Sequence, residues 1–192
     1  HRLSLEEFET LTDKLRGQIK FLYFHLMGEP FLHPRLSEFI QIARRKDFVP
    51  VLTTNGTLLS KAQGVIEAHP HKIQISLHSH EGNAKEHPEE YIRQVMTFAQ
   101  EAASKGVLIF LRLWNQGGYD TTNDCIQDLI AQYQPRPWTQ RHDGWKLAEN
   151  LYIEYDRMFE WPDAEHAEYE EPDVFCYALR NHAGILVDGT VV

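Results

Sequence analysis

The chain has 192 residues, of which 42% are hydrophobic, and it carries a formal net charge of -9. Nucleic acids and anionic membranes favour clustered Lys and Arg, so an excess of carboxylates argues against both as partners. The sequence contains no apolar run of the roughly 18 residues that a membrane helix needs, and its first residues lack the layout of a signal peptide. One main domain in a cytoplasmic protein is the expectation.

Strands and helices are predicted to alternate along most of the chain. Apolar runs too short for separate helices predict buried strands at 19–27, 49–53, 72–77, 107–113 and 151–155. Helical spacing of apolar residues predicts helices over 4–16, from Leu36 to Ala43, after a cap at Ser60, from His87 to Gly106, and after a cap at Thr122. Repeated βα units imply parallel strands, either in an open doubly wound sheet or in a barrel or part of one.

The pattern changes beyond residue 156. Residues 154–173 are dense in carboxylates, which predicts a solvated connector. Residues 185–192 predict a β-hairpin with its tight turn at Asp188-Gly189. We therefore predict two segments, a main domain over 1–156 and an acidic connector with the start of a C-terminal extension over 157–192. Cys125 and Cys176 are too few and too far apart for a disulfide framework, so both thiols are expected to be reduced.

Function is expected at the carboxyl ends of the strands, where the loops of parallel β/α units converge. Glu29 in Gly28-Glu29-Pro30 offers a carboxylate to an ammonium group, on a turn that Gly28 and Pro30 make rigid. Asn55 and Ser76 offer small hydrogen-bonding groups, and Arg112 offers a fork for a carboxylate. A zwitterionic amino acid needs that combination.

Two motifs lie at consecutive strand ends: residues 24–34 contain Gly28-Glu29-Pro30, and residues 52–56 contain Thr54-Asn55-Gly56. With this order and spacing the sequence resembles the radical S-adenosylmethionine (SAM) superfamily. In that family the Gly-Glu-Pro motif contacts the amino group of SAM, and residues matching Ser76 and Arg112 help to hold its ribose and carboxylate. The resemblance covers about 4–155 and implies an α/β fold, a partial (β/α) barrel of parallel strands that is incomplete at the N-terminus. It also implies a SAM site made of Gly28, Glu29, Pro30, Thr54, Asn55, Ser76 and Arg112.

The resemblance further implies what the full-length protein does. Such an enzyme cleaves SAM reductively at a [4Fe–4S] cluster, with electrons from a flavodoxin or ferredoxin type of donor. The resulting 5′-deoxyadenosyl radical takes a hydrogen atom from a small-molecule or peptide substrate. The family's three cluster cysteines would precede Ser4, and this chain lacks them. We therefore expect the chain by itself to be inactive, to bind neither cofactor and to contain no catalytic residue.

The C-terminal region carries a second resemblance. Cys176, followed by twelve residues and Gly189, is similar to the opening of the SPASM extension of peptide-modifying radical SAM enzymes. This makes Cys176 a candidate ligand of an auxiliary cluster in the full-length protein.

Two other functions remain open at the level of sequence. His78 and His80 at a strand end, with His25 near another, are compatible with a metal-dependent hydrolase barrel that activates water on zinc. A degenerate barrel that binds a peptide without cleaving SAM is the non-catalytic alternative. Trp114 and Asn115 are candidates for a substrate or adenine contact, or for core packing.

Overall fold

A computed structural model of the protein describes residues 2–25, 28–62, 64–79, 88–117, 120–158 and 182–191. Its strands are β1 (Phe21–Phe24), β2 (Val49–Thr54), β3 (Lys72–Ser76), β4 (Leu108–Gln116), β5 (Thr139–Arg141), β6 (Gly144–Ala148) and β7 (Leu151–Arg157). Its helices are α1 (Leu5–Leu15), α2 (Leu36–Arg45), α3 (Pro88–Ser104) and α4 (Asn123–Tyr133). The strands form one sheet in the order β1-β2-β3-β4-β7-β6-β5.

The predicted α/β class is confirmed. Strands β1, β2, β3, β4 and β7 are neighbours and run parallel, and each successive pair is joined by a crossover. These are the five strands that the apolar runs predict, with ends shifted by a few residues. A mostly parallel seven-stranded sheet of this kind agrees with a partial, barrel-like α/β structure.

The antiparallel hairpin of β5 and β6 is the largest departure from the sequence prediction, which treats 134–138 only as a break before the next parallel strand. Its strands pair from Thr139 with Lys146 to Arg141 with Gly144, and β6 then pairs antiparallel with β7. All three residues of β5 are exposed, so this strand lacks the apolar alternation that marks a half-buried strand. The hairpin extends the sheet beyond β7.

Three local predictions also need correction. Ser60 does not cap an α-helix, because it lies inside a 3₁₀ turn over Leu59–Lys61 and Gly64 at φ +81° interrupts helical geometry soon afterwards. Thr122 precedes α4 as predicted, but its side chain makes no capping hydrogen bond. The predicted hairpin over 185–192 is reduced within the described residues to one antiparallel bridge between Ile185 and Val191.

The helices cover one face of the sheet and leave the other open. Alternate residues of β4, namely Ile109, Leu111 and Leu113, are fully buried in one core with Ile92 and Val95 of α3. The intervening residues face the opposite side, where Phe110 of β4 stacks on Tyr152 of β7 with ring centroids 4.9 Å apart. On the same open face, Phe21 and Tyr23 of β1 are 47% and 44% exposed. This open face corresponds to the interior of a barrel.

None of the described helices combines the length and the apolar character required to cross a bilayer.

Candidate functional site

The Glu29 carboxylate joins the loops that follow β1 and β2. Its Oε1 accepts hydrogen bonds from the Phe31 backbone N–H at 3.1 Å and from the Thr54 hydroxyl at 2.8 Å. Its Oε2 accepts one from the Asn55 backbone N–H at 2.9 Å. Since an ionised carboxylate has about four acceptor positions, Glu29 keeps one for a further donor. The two motifs found in the sequence are therefore in direct contact.

The Thr54-Asn55-Gly56 loop is held from both sides. Thr54 Oγ1 accepts from the Gly56 backbone N–H at 3.1 Å while its own hydrogen goes to Glu29. Asn55 Oδ1 accepts from the backbone N–H and the hydroxyl of Thr57, which closes an Asx turn. No described residue accepts a hydrogen bond from Asn55 Nδ2, so the amide group of this side chain has a donor to offer.

Tyr91 of α3 supports the same loop and is a residue that the sequence predicts only as core. Its hydroxyl donates to the Asn55 carbonyl oxygen at 2.8 Å. Burial, together with the nearby negative charge of Glu29, raises the pKa of this phenol, so it stays a hydrogen-bond donor. Helical periodicity places Tyr91 on the inward face but says nothing of its partner, because the contact joins residues 36 positions apart.

Ser76 and Arg112 lie side by side at the ends of β3 and β4. They are register partners in the parallel ladder and so point to the same, open face. Arg112 is only 8% exposed, and the centre of its guanidinium lies 3.0 Å from the centroid of the Trp114 ring. Its Nε makes no hydrogen bond to any residue that the structure describes. Burial lowers the pKa of Arg112 to about 10, against the opposing influence of Glu154 and Asp156.

The candidate site combines a hydrogen-bond acceptor, the Glu29 carboxylate, and a hydrogen-bond donor, the Arg112 guanidinium, at one edge of the sheet. Glu29, Thr54 and Asn55 are hydrogen-bonded to one another, and Ser76 and Arg112 follow on the next two strands. Gly28, at φ +88° and with open space beside it, and Pro30, which begins a 3₁₀ turn, form the turn around Glu29. An unpartnered buried guanidinium nitrogen costs free energy until an acceptor reaches it, which fits a carboxylate ligand.

Asn115 and Trp114, the two candidates for a substrate or adenine contact, point to opposite faces of the sheet. Asn115 points to the helical side, where its amide and that of Asn123 exchange two hydrogen bonds of 2.9 Å, which favours the core-packing interpretation. Trp114 points to the open face beneath Arg112, as a ligand contact requires. Its Nε1 is buried and makes no hydrogen bond within the described part of the chain.

Comparisons with known proteins identify related folds only at a distance. No family model matches the chain, and no curated protein shows significant similarity to it. A crystal structure of archaeal TYW1 is similar at a TM-score of 0.44 and 19% identity, over 68% of this chain and 50% of that one. A structure of TYW1 with a lysine-pyruvate adduct bound gives 0.42 and 20%, over 66% and 48%.

The chain spans about half the length of these two structures. The site residues therefore have to be judged by their own contacts.

The cysteines of the chain do not fit the [4Fe–4S] cluster that the resemblance implies. Cluster binding uses several thiolates brought to one place, and this chain has two cysteines in all. Cys125 is exposed on α4, and Cys176 lies outside the described residues. No step that uses a cluster can be assigned to residues of this chain.

The histidines suggested as a hydrolase centre are only partly described. His78 Nδ1 lies 3.3 Å from both the Arg112 carbonyl oxygen and the Trp114 backbone nitrogen, so this atom is directed at the backbone of β4. His80 lies outside the described residues. Among the described residues, no group of three or more His, Cys, Asp or Glu side chains is arranged to hold a metal ion.

Replacing Arg112 separates its role in the site from its role in stability. Arg112→Met is expected to leave the free energy of unfolding unchanged or to raise it by about 1 kcal/mol, because methionine preserves packing on Trp114 and removes a buried charge. Urea denaturation followed by tryptophan fluorescence measures this. A loss of more than about 2 kcal/mol would show that the guanidinium is a structural partner of Glu154.

Proposed function

We propose that this chain forms the SAM-binding part of a radical SAM enzyme. The observation that carries the proposal is the contact of Glu29 with both Thr54 and Asn55, at the ends of two adjacent parallel strands. A loop-to-loop link of this kind preorganises an acceptor for an ammonium group before the ligand arrives, which lowers the entropic cost of binding.

The amino, carboxylate, ribose and sulfonium groups of SAM each have a counterpart in the site. The remaining acceptor position of Glu29 suits the amino group, and the unpartnered Nε of Arg112 suits the carboxylate. Asn55 Nδ2 and the Ser76 hydroxyl lie on the intervening strand ends and suit ribose hydroxyls. The carboxylates of Glu154 and Asp156 near Arg112 offer a favourable environment for the sulfonium cation.

For the full-length protein we also propose reductive cleavage of SAM and hydrogen abstraction from a substrate. In radical SAM enzymes a [4Fe–4S] cluster supplies the electron that cleaves SAM. The contribution of the described residues is to bind SAM, to orient its amino-acid part and to form a wall that limits water access. We propose hydrogen abstraction, a substrate and an electron donor only for the full-length protein.

Calorimetric titration tests the binding step. The sequence alone predicts that this chain binds no cofactor, but the hydrogen-bonded Glu29 and the buried Arg112 do not depend on a cluster. SAM and S-adenosylhomocysteine are therefore expected to bind the chain saturably, with one ligand per chain. 5′-Methylthioadenosine lacks the amino-acid part and is expected to bind at least about 10-fold more weakly, because charge-assisted hydrogen bonds to both ends of the zwitterion are lost. Equal affinity for all three ligands, or absence of binding by SAM, would contradict the proposal.

A further inference from the structure

Two histidines from distant parts of the chain converge on one ring at the open face of the sheet. His25 follows β1, and its ring centroid lies 5.6 Å from that of Tyr23 in an edge-on arrangement. His182, in the C-terminal segment, packs against the same Tyr23 ring at 6.2 Å. Within the part of the chain that the structure describes, neither imidazole has a hydrogen-bond or ion-pair partner, so each ring offers a nitrogen to a ligand there.

The charges around this pair are positive. The pKa of His25 lies below its ordinary value, mainly because the ring is partly desolvated and also because Arg112 and His182 repel its protonated form. Arg112 lies on β4, three strands beyond β1 in the sheet order, so its influence on His25 reflects curvature of the sheet around the open face. The carboxylates of Glu154 and Asp156 act on Arg112. The groups that act on His25 are all cations or capable of becoming cations.

Such a convergence is unusual in a chain with a net charge of -9. Like charges brought together are unfavourable without a counter-ion, and a bound anion would reverse the effect by stabilising the protonated form of His25. With only two imidazoles and the nearby field of Arg112, the arrangement matches one small anionic group and not an extended polyanion. The half-exposed Tyr23 ring provides a flat apolar surface beneath that group.

We propose that His25 and His182 form an oxyanion subsite that takes a carboxylate or phosphate group of the substrate, next to the SAM position. The substrate role rests on the proposed function, whereas the anion site itself does not. Arg112 adds its charge from the side and keeps its hydrogen bonds for SAM. The C-terminal segment thereby contributes a binding residue to a site built from the ends of the strands.

Sulfate and acetate are suitable probes, because sulfate stands for a phosphate group and keeps its charge between about pH 5 and 8, and acetate stands for a carboxylate. Sulfate is expected to bind about 10-fold more tightly at pH 5.5 than at pH 7.5, because binding favours the protonated imidazoles. The acetate titration at pH 5.5 shows which of the two groups the subsite prefers. Two-dimensional NMR of the histidine rings should show the pKa of His25 rising when sulfate is added.

Single substitutions with a matched control identify the residues. His25→Gln and His182→Gln are each expected to weaken sulfate binding at pH 5.5 by about 3- to 10-fold and to flatten its pH dependence. His142→Gln removes a histidine from the exposed turn between β5 and β6 and should change nothing. Unchanged affinity in both site variants, or an equal loss in the control, would overturn the subsite.

A titration of SAM in saturating sulfate separates this proposal from the proposed function. Independent binding of the two ligands supports a subsite next to SAM. Competition would assign the histidines to the SAM carboxylate and overturn the proposal. If SAM fails to bind but sulfate binds through His25 and His182, the anion site stands and the SAM-binding function fails.

Discussion

Gly56→Ala is expected to lower the free energy of unfolding by about 3 kcal/mol, because the new methyl group meets two obstacles at once. Gly56 has φ +74°, a left-handed conformation that alanine adopts only with strain. A Cβ atom there would lie 2.9 Å from Ile75 Cγ2 and 2.9 Å from the Tyr91 hydroxyl. Neither neighbour can move easily, because Ile75 is fully buried and the Tyr91 hydroxyl holds the Asn55 carbonyl.

Gly17→Ala is the matched control. Gly17 has nearly the same backbone angle, φ +77°, but no atom of the described residues lies within 4 Å of the position that its Cβ would take. Its substitution should cost only the conformational term, about 1 kcal/mol. Urea denaturation of both variants measures the difference, and equal losses would show that the contacts of Tyr91 and Ile75 do not constrain the loop. Gly56→Ala should also weaken SAM binding, because Asn55 is displaced with the loop.

Glu29→Gln is expected to reduce SAM affinity at least about 10-fold, which corresponds to the loss of one charge-assisted hydrogen bond. The amide oxygen can keep the bonds from Thr54 and Phe31 that Oε1 accepts, but the amide nitrogen then faces the Asn55 backbone N–H. Two donors would oppose each other at that position. We also expect a stability loss of about 1–2 kcal/mol, measured by denaturation beside the calorimetric titration.

Glu38→Gln is the control for the loss of charge. Glu38 pairs with Arg35 in an exposed position on α2, away from the strand ends. Exposed pairs contribute at most about 1 kcal/mol, so this variant should keep nearly full stability and full SAM affinity. If Glu29→Gln and Glu38→Gln bind SAM equally well, the amino group of SAM does not use Glu29.

The parallel part of the sheet could be predicted because its strands are buried. Residues 107–113 are apolar except for Arg112, and in residues 72–77 the apolar Ile73, Ile75 and Leu77 alternate with polar residues. β4 continues three residues beyond its predicted end at Leu113, because pairing with β7 resumes at Gln116 and Arg157 regardless of side-chain polarity. The polar strand β5 could not be found in this way, since its pairing depends on the backbone of β6.

The candidate site could be predicted in part for a related reason. Loops after parallel strands meet at one edge, so the positions of Glu29, Asn55, Ser76 and Arg112 follow from strand order. The hydrogen bond of Glu29 to Thr54 adds a detail that strand order does not contain. The contributions of Tyr91 and His182 depend on long-range contacts that leave no periodic or motif signal.

Two predictions, for Cys176 and for the division into two segments, concern residues that the structure mostly does not describe. Cys176 and most of the predicted connector lie outside the described residues, so both the auxiliary-cluster ligand and the division into 1–156 and 157–192 stay predictions. The described part of the C-terminal segment nevertheless reaches the open face through His182 and Tyr23.

Backbone NMR shift mapping with S-adenosylhomocysteine tests the central claim most directly, because it locates the ligand. We expect the largest amide shifts on Asn55, Gly56, Ser76 and Trp114, at the carboxyl ends of β2, β3 and β4. The opposite edge of the sheet has its own cavity of about 400 Å³, lined by Gly106, Asn150 and Leu151 among others. Shifts concentrated on those residues, with none at the carboxyl ends of the strands, would contradict SAM binding by Glu29, Asn55, Ser76 and Arg112.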